Sequence, residues 1–596
     1  MTTRKQRMMG KEHKELSFGT SGLRDTVENM TDMECYINTR GFLVYLKETG
    51  EFKKGGKVAI AGDRRPSTYR IKRAVAAAIR DSGGVVDDQG LVPSPALAFY
   101  SGSKSIPSIM ITGSHIPSDR NGIKFAKKSG EVLKLDEEGI LKGVREERGK
   151  IYSILSNNSI FDDNGTFKKE AQEEANTLLE KKDFYGGSRQ EYTDRYKNVF
   201  GNQTFAPGIK IFLYQHSAVG RDMIKEIFEG LGAEVLAPDK SIEIEYADED
   251  GIKRFEKVNL RSNEFVSVDT ESVSTKTMAI FRKAMYDNDL DIGISMDGDS
   301  DRPLLVYRVY SGGEPTDEVR YVTGDILGLL AVLGLEKMGV RIDSVSVPVS
   351  ANDAITMVLK EKGVFLTETK IGSPYVIAAM NEYIQEHPEW NVFSWESNGG
   401  FLTGSDLNIK GKVLKALPTR DAVLPLISVI MMSVREKMPI SEIFKSLPAR
   451  FTYADRKKEF PVEKSKRIIS SISPVIEKKV QQVNFAVEGG AVVFYANGSK
   501  KEIGANSEFH GIRIKLENVF TKKHGFNKVD SINYIDGVKI RFSNSEISHL
   551  RPSGNAPEFR NYAIANTPER AKEIVEIGIK EIIPELGKNC HCERTK

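Results

Sequence analysis

Asp297, Asp299 and Asp301 stand two residues apart in Asp297-Gly298-Asp299-Ser300-Asp301-Arg302, directly after the apolar run Ile292 to Met296. In an extended backbone, residues i, i+2 and i+4 project to one side, so the three carboxylates can converge on one oxygen-seeking cation such as Mg²⁺. Without a cation the cluster is strained, because two like charges about 4 Å apart repel by about 4 kcal/mol at an effective dielectric near 20. The D-x-D-x-D pattern also opens a calcium-binding EF-hand loop. That loop needs a glycine and a bidentate glutamate where this chain has Arg302 and Arg308. A solvated acidic turn is the remaining alternative.

Ser114 lies in Ile109-Met110-Ile111-Thr112-Gly113-Ser114-His115-Ile116-Pro117, where an apolar strand should end. Gly113 permits a tight backbone, and His115 and Lys124 can transfer protons or contact anions. Asn121-Gly122 suggests a sharp turn that returns Lys124 toward the serine. A Ser-His pair can also merely complete a turn. A hydrolase would need G-x-S-x-G, or a distant His and Asp around a free hydroxyl, and neither is apparent. Phosphoryl chemistry fits better: a phosphoserine supplies a dianionic ligand beside Asp297, Asp299 and Asp301, with Arg302 and Lys124 balancing the charge.

Two further segments carry polar parts. Arg551-Pro552-Ser553-Gly554-Asn555-Ala556-Pro557-Glu558 offers a guanidinium fork, and the N–H groups from Ser553 to Asn555 can form an anion nest. A plain Pro/Gly turn is the alternative there. Trp395-Glu396-Ser397-Asn398-Gly399-Gly400 supplies a carboxylate and an amide able to hold sugar hydroxyls.

The elements that must position these groups follow a repeated grammar of apolar strand, Gly-containing or polar turn, amphipathic helix and Gly-marked return. It starts at Val58 with a helix near Tyr69 to Arg80, at Ile209 with a helix near Arg221 to Glu229, and near Val345 with a helix from about Ala354 to Lys360. Strands alternating with helices favour mainly parallel sheets covered on both faces. From about Phe451 the pattern changes to a helix over Val462 to Val480 and short strands, an α+β domain. The charged segments Lys128–Asp183 and Glu243–Asn263 are expected to be helical or loop elaborations.

A chain of 596 residues exceeds a single core, and four domains are expected, over 1–185, 186–318, 319–445 and 446–596. With 39% hydrophobic and 28% charged residues and a net charge of +3, it is an ordinary globular composition. The dispersed basic residues give no electrostatic case for nucleic acid. No apolar run is long enough to span a membrane and the polar N-terminus lacks a signal core, so a cytoplasmic location is expected. Three cysteines suggest no disulfide framework, and Cys590-His591-Cys592 is taken as a frayed tail.

In order along nearly the whole chain, these segments resemble the motifs of the α-D-phosphohexomutase superfamily, which includes phosphoglucomutases and phosphomannomutases. Phe18-Gly19-Thr20-Ser21-Gly22-Leu23-Arg24 is similar to its F-G-T-x-G-x-R, Ser114-His115 with Lys124 to its phosphoserine loop, and Asp297 to Arg302 to its D-G-D-x-D-R metal loop. Glu396 to Gly400 resembles its sugar loop and Arg551 to Pro557 its R-P-S-G-T-E-P phosphate loop. The resemblance implies four domains around a central cleft, three α/β mixed-sheet domains and a C-terminal domain of the TATA-binding-protein-like type.

It further implies a phosphosugar mutase that interconverts hexose 1-phosphate and hexose 6-phosphate, with mannose or glucose as the sugar. Ser114 would carry the phosphate and a hexose 1,6-bisphosphate would be the intermediate and activator. By the same resemblance Asp297, Asp299, Asp301 and the Ser114 phosphate would hold Mg²⁺, and Lys124 would be the general acid/base. Arg24, His115 and Arg302 would assist, Glu396 and Asn398 would grip the sugar, and Arg551, Ser553, Gly554 and Asn555 would anchor the second phosphate. Gly372 and Ser373 sit where relatives read the orientation of the sugar. The chain departs from the family pattern at Asn555-Ala556 for Thr-Glu, at Ile116 for Asn and at Ser300 for Gly. A phosphoglucosamine mutase and a catalytically silent sugar-phosphate sensor are the alternatives.

Overall fold

The computed structural model describes residues 13–19, 22–181, 184–201, 209–248, 250–475, 479–486, 489–553 and 557–589. The Cys590-His591-Cys592 segment lies outside them. The chain divides into two compact units, Met1–Ser346 with Gly372–Phe444, and Val347–Ile371 with Lys445–Lys596.

In the first unit, the strands Phe18–Gly19, Gly22–Thr26, Arg120–Lys127, Ser108–Ile111, Lys57–Gly62 and Val85–Leu91 follow one another across a mixed sheet. Lys57–Gly62 runs parallel to both its neighbours, and Arg120–Lys127 runs antiparallel to each of its own. The central strand is apolar from Val58 to Ala61 because both of its faces are covered, so no alternation is needed. Helix Thr68–Asp81 is favoured by Ala74, Ala76, Ala77 and Ala78, the best helix formers, and it ends where Gly83 takes φ +80°. Phe42, Ile60, Val75, Ile109, Ile123 and Phe125 share one core, together with Val144 and Phe161 from the charged stretch after Lys128.

A second mixed sheet orders Glu314–Tyr321, Pro303–Ser311, Ile292–Met296, Lys210–Leu213 and Glu234–Leu236. Ile292–Met296 lies parallel to Lys210–Leu213 and antiparallel to Pro303–Ser311. A third sheet pairs Ser344–Pro348 in parallel with Val392–Trp395, which continues antiparallel into Phe401–Thr403 and then Leu417–Asp421. The second unit is built on a different plan. Its eight-stranded sheet is antiparallel, ordered Phe451–Lys457, Phe559–Ala565, Ile547–Pro552, Val538–Phe542, Val529–Asn533, Val480–Phe485, Ala491–Tyr495 and Lys500–Ile503. Val483, Ile540, Leu516, Ile468 and Ile574 form the core between that sheet and its helices.

Mixed α/β sheets followed by an α+β C-terminal part match the expected fold class, and four local readings need correction. Helix Val462–Ser471 stops well short of Val480 because Pro474 bars the helical conformation at Ser473. The charged segment after Glu243 is neither helix nor loop. It is the hairpin Ser241–Ala247 with Lys253–Asn259, whose inner face carries Ile242, Ile244 and Tyr246 at period two. Asn121-Gly122 is not a turn but lies inside strand Arg120–Lys127. There a Cβ on Gly122 would stand 2.6 Å from the Leu23 carbonyl and 2.7 Å from that of Thr112, so only glycine fits between the neighbouring strands. The sheets are also mixed rather than mainly parallel, because hairpin returns such as Pro303–Ser311 and Arg120–Lys127 add antiparallel strands. Among the described residues, no helix is long and apolar enough to cross a membrane.

Candidate active site

Strand Ile292–Met296 delivers the chain to Asp297, and a tight turn rather than pleat alternation gathers the three carboxylates. Within it Ser300 donates its N–H to the Asp297 carbonyl at 3.1 Å and Asp297 donates to the Arg302 carbonyl at 3.2 Å. Ser300 takes φ +59°, a left-handed conformation that reverses the chain into Pro303–Ser311. Neighbouring segments pin the loop from outside, since Ser94 donates its N–H to the Asp299 carbonyl and Val219 to that of Gly298, both at 3.0 Å.

The trio is almost wholly removed from solvent, and one oxygen from each carboxylate lies within 4.8 Å of the others. Asp299 Oδ1 and Asp301 Oδ1 are buried without a hydrogen-bond partner, the state in which hard oxygen ligands await a cation. Burial, then repulsion from Asp299 and Asp301, pushes the Asp297 carboxyl well above its usual range. At Asp299 burial acts in the same direction but is outweighed by Lys124, Ser94 and Arg420, which hold that carboxyl low. The charge conflict within the trio therefore falls on Asp297. These residues fit a divalent cation, and Mg²⁺ suits an all-oxygen site of this kind.

Ser114 follows strand Ser108–Ile111 and is a non-glycine residue at φ +57°. Its N–H donates to Thr112 Oγ1 at 2.8 Å and its hydroxyl donates to Asp297 Oδ2. Strand Arg120–Lys127 brings Lys124 back beside it, with Nζ 2.6 Å from Asp299 Oδ2 and 2.8 Å from Asp301 Oδ2. Arg302 donates to His115 Nδ1 at 3.1 Å, which requires the acceptor form of that nitrogen. Burial and the neighbouring Arg302 and Arg24 push His115 down to about 2, so its ring is neutral. Arg24, on strand Gly22–Thr26, is lowered to about 10 by burial, Arg302 and Arg420, the mark of guanidinium groups crowded where an anion would relieve them.

Glu396 and Asn398 follow strand Val392–Trp395. Asn398 Oδ1 accepts from the Gly400 N–H at 3.0 Å, and its carbonyl accepts from Thr270 Oγ1 at 3.1 Å. Glu396 is paired with a residue that sequence reasoning missed. Arg420, at the end of strand Leu417–Asp421, reaches Glu396 Oε2 at 3.1 Å and Asp301 Oδ2 at 3.0 Å, joining the loop from Glu396 to Gly400 to the trio. Ser94 was also missed, and its hydroxyl donates to Asp299 Oδ2 at 2.5 Å. In the text of the chain Arg420 is one basic residue before an apolar helix and Ser94 one turn serine, so neither carries a local signal. Gly372, at φ +130°, and buried Ser373 begin helix Ser373–Glu386.

The second unit presents its own polar loop. Arg551, on strand Ile547–Pro552, places Nε 2.8 Å from Asp536 Oδ2. The expected anion nest is altered at its first member, because the Ser553 N–H donates to the Glu558 carbonyl at 3.0 Å. Gly554 and Asn555 lie outside the described residues.

Residues 15–149 match the family model "Phosphoglucomutase/phosphomannomutase, alpha/beta/alpha domain I" and residues 323–451 match the corresponding domain III. A phosphomannomutase of Salmonella muenchen is 35% identical over 579 residues, covering 96% of this chain and 97% of that protein. A phosphomannomutase of Sinorhizobium fredii is 31% identical over 563 residues, covering 94% of this chain and 98% of that protein. In fold, the chain is similar to the crystal structure of a phosphoglucomutase/phosphomannomutase family protein from Burkholderia thailandensis, with a TM-score of 0.60, 16% identity and coverage of 96% and 97% of the two chains.

Proposed function

Because this chain belongs to the phosphoglucomutase/phosphomannomutase family of the α-D-phosphohexomutases, and is an intramolecular phosphotransferase of the isomerase class, we propose that it interconverts hexose 1-phosphate and hexose 6-phosphate through a phosphorylated Ser114. The sugar is mannose or glucose, in keeping with the two phosphomannomutases that resemble the chain over most of its length. Phospho-Ser114 gives its phosphoryl group to the free hydroxyl of the hexose phosphate, breaking its Oγ–P bond as the sugar O–P bond forms. The hexose 1,6-bisphosphate turns over and returns its other phosphate to Ser114.

The observation that carries this reading is the hydroxyl of Ser114 directed onto Asp297, in a buried trio whose other members are held by Lys124. In-line phosphoryl transfer asks for positioning and charge neutralisation more than for covalent help from the protein. Asp297, Asp299 and Asp301, with the phosphate on Ser114, would hold Mg²⁺, which when bound would supply Lewis-acid neutralisation of the phosphoryl oxygens. Lys124 acts as the general acid/base: its ammonium gives a proton to the departing Ser114 Oγ and is reprotonated by the attacking sugar hydroxyl. Arg24 and Arg302 face the transferring group, and neutral His115 accepts from Arg302 and so aims that guanidinium. Glu396 and Asn398 hold ring hydroxyls, with Gly372 and Ser373 at the edge of that grip. By the family resemblance, Arg551, Ser553, Gly554 and Asn555 would anchor the phosphate that does not react. Arg551 must first exchange Asp536 for it, a swap of one charge-assisted bond for another.

Intact-mass analysis tests the reading. The purified protein, treated with glucose 1,6-bisphosphate, should gain about 80 Da on Ser114, the mass of one phosphoryl group. Ser114→Ala should abolish both that gain and turnover of mannose 1-phosphate and glucose 1-phosphate. A Ser114→Ala protein with an undiminished rate would refute the phosphoserine route.

A further inference from the structure

Arg65 touches neither the aspartate trio nor the sugar loop, yet every N–H of its guanidinium is spent around Ser114. It follows strand Lys57–Gly62 and is buried. Its Nε donates to Asp63 Oδ2 at 3.1 Å. One terminal nitrogen donates to the Pro117 carbonyl at 2.6 Å and the Arg120 carbonyl at 2.9 Å. The other donates to the carbonyls of Ser114 at 2.9 Å and Ile116 at 2.5 Å. Five donors meet five acceptors, three of them carbonyls of the loop that carries the serine and a fourth that of Arg120, where the next strand begins.

The same cluster holds the serine from its amide side. Asp63 Oδ2 accepts from Thr112 Oγ1 at 2.8 Å, and Thr112 Oγ1 in turn accepts the Ser114 N–H at 2.8 Å. Ser114 is thereby fixed at both ends in a left-handed conformation that a non-glycine residue leaves when free to do so. The guanidinium is also sealed in. The ring of Phe265 lies 3.9 Å from its carbon, and a Cβ on Gly113 would come within 2.6 Å of the same atom. A lysine could not reproduce the pattern, because it has three donors and no planar fork.

We infer that Arg65 is a positioning residue for the phosphoryl transfer, holding the Ser114 loop so that Oγ stays on Asp297 and the phosphoserine stays in line with the sugar. The inference rests on the phosphoserine reading above. With the loop released, water competes with the sugar hydroxyl: a water oxygen forms the new bond to phosphorus as the Ser114 Oγ–P bond breaks. One water proton passes to Oγ, and inorganic phosphate leaves. The expected signature is a fall in turnover together with a phosphate leak, without loss of substrate affinity.

The experiment compares full-length wild type with Arg65→Lys, Gly113→Ala and Phe265→Leu, measuring kcat, KM, inorganic phosphate released per turnover and phosphate on Ser114 by mass. The first variant removes the fork, the second displaces it with its charge intact, and the third takes away the covering ring, so a folding failure of one leaves the others. Arg65→Lys and Gly113→Ala should lose about 100-fold or more in kcat, as expected for small misplacement of reacting groups, with KM within about threefold. Phosphate release per turnover should rise in both, and Phe265→Leu should show the same leak in weaker form. Wild-type kcat and no added phosphate release in the folded variants would overturn the inference, as would a rise in KM at constant kcat. If wild type carries no phosphate on Ser114 after treatment with the bisphosphate, it is the phosphoserine reading that fails.

Discussion

Replacing Arg420 by methionine keeps much of the volume of the side chain and removes its charge from between two buried carboxylates. Arg420 lies 3.0 Å from Asp301 and 3.1 Å from Glu396, and all three side chains are at most a tenth exposed. At an effective dielectric near 20, each contact is worth about 5 kcal/mol of Coulomb attraction, offset by the cost of burying the guanidinium. Removing one partner of such a pair costs about 3–5 kcal/mol, because the other charge stays buried and uncompensated. Asp301 retains Lys124 at 2.8 Å, so most of that cost falls on Glu396.

Urea unfolding followed by tryptophan fluorescence is the assay. Both tryptophans, Trp390 and Trp395, belong to the first unit, and buried Trp395 adjoins Glu396. Arg420→Met should lose about 3–5 kcal/mol, and Arg420→Met with Glu396→Gln should recover about 1–3 kcal/mol of the summed losses, since no unpaired charge then remains at position 396. Turnover should not recover in the double variant, because Glu396 is proposed to hold a ring hydroxyl of the sugar. A single variant that loses less than about 1 kcal/mol, or strictly additive losses, would refute the buried-pair reasoning.

Lys124→Met should cost about 3–5 kcal/mol in urea unfolding, because Asp299 and Asp301 then lose a partner at 2.6 and 2.8 Å, and in the folded variant single-turnover phosphoryl transfer should slow by about 10²–10⁴-fold, the usual contribution of a general acid/base; a loss under tenfold would remove Lys124 from that role. Chelation of divalent ions should abolish turnover and added Mg²⁺ should restore it, whereas Asp299→Asn should stay inactive at any Mg²⁺ concentration used; full activity in excess chelator would exclude the trio as a cation site. Burial pushes His216 in the first unit and His549 in the second down to about 4, below the ordinary 6.5 of the unfolded chain. The unfolded state therefore binds more protons between those values. Each histidine contributes stability above pH 6.5 that is lost as pH falls toward 4, at about 1.4 kcal/mol per pH unit. Unfolding measured by circular dichroism at pH 7 and pH 5 should show this slope, and His549→Gln should lower it for the second unit; an unchanged slope would contradict the assignment.

Elements whose information is local were legible in the sequence. The helices expected near 69–80, 221–229 and 354–360 run from Thr68 to Asp81, Arg221 to Gly230 and Ala354 to Glu361, because apolar spacing and glycine stops act within a few residues. The hairpin at 241–259 shows the same rule from the other side: its alternation was present in Ile242, Ile244 and Tyr246 but was obscured by the charges between them.

The sequence by itself determined the chemical inventory: Ser114 after a strand, three aspartates two apart, and Lys124 close behind the serine. It could not determine what stands opposite what. Arg420 meets Asp301 across 119 residues and Ser94 meets Asp299 across 205, pairings created by sheet order and by the turn at Ser300. Nor could it show that the fork of Arg65 closes on four carbonyls, since a carbonyl has no residue-specific signature. Side-chain type and periodicity are properties of the chain, while charge compensation in a buried site depends on distances that exist only after distant strands have paired.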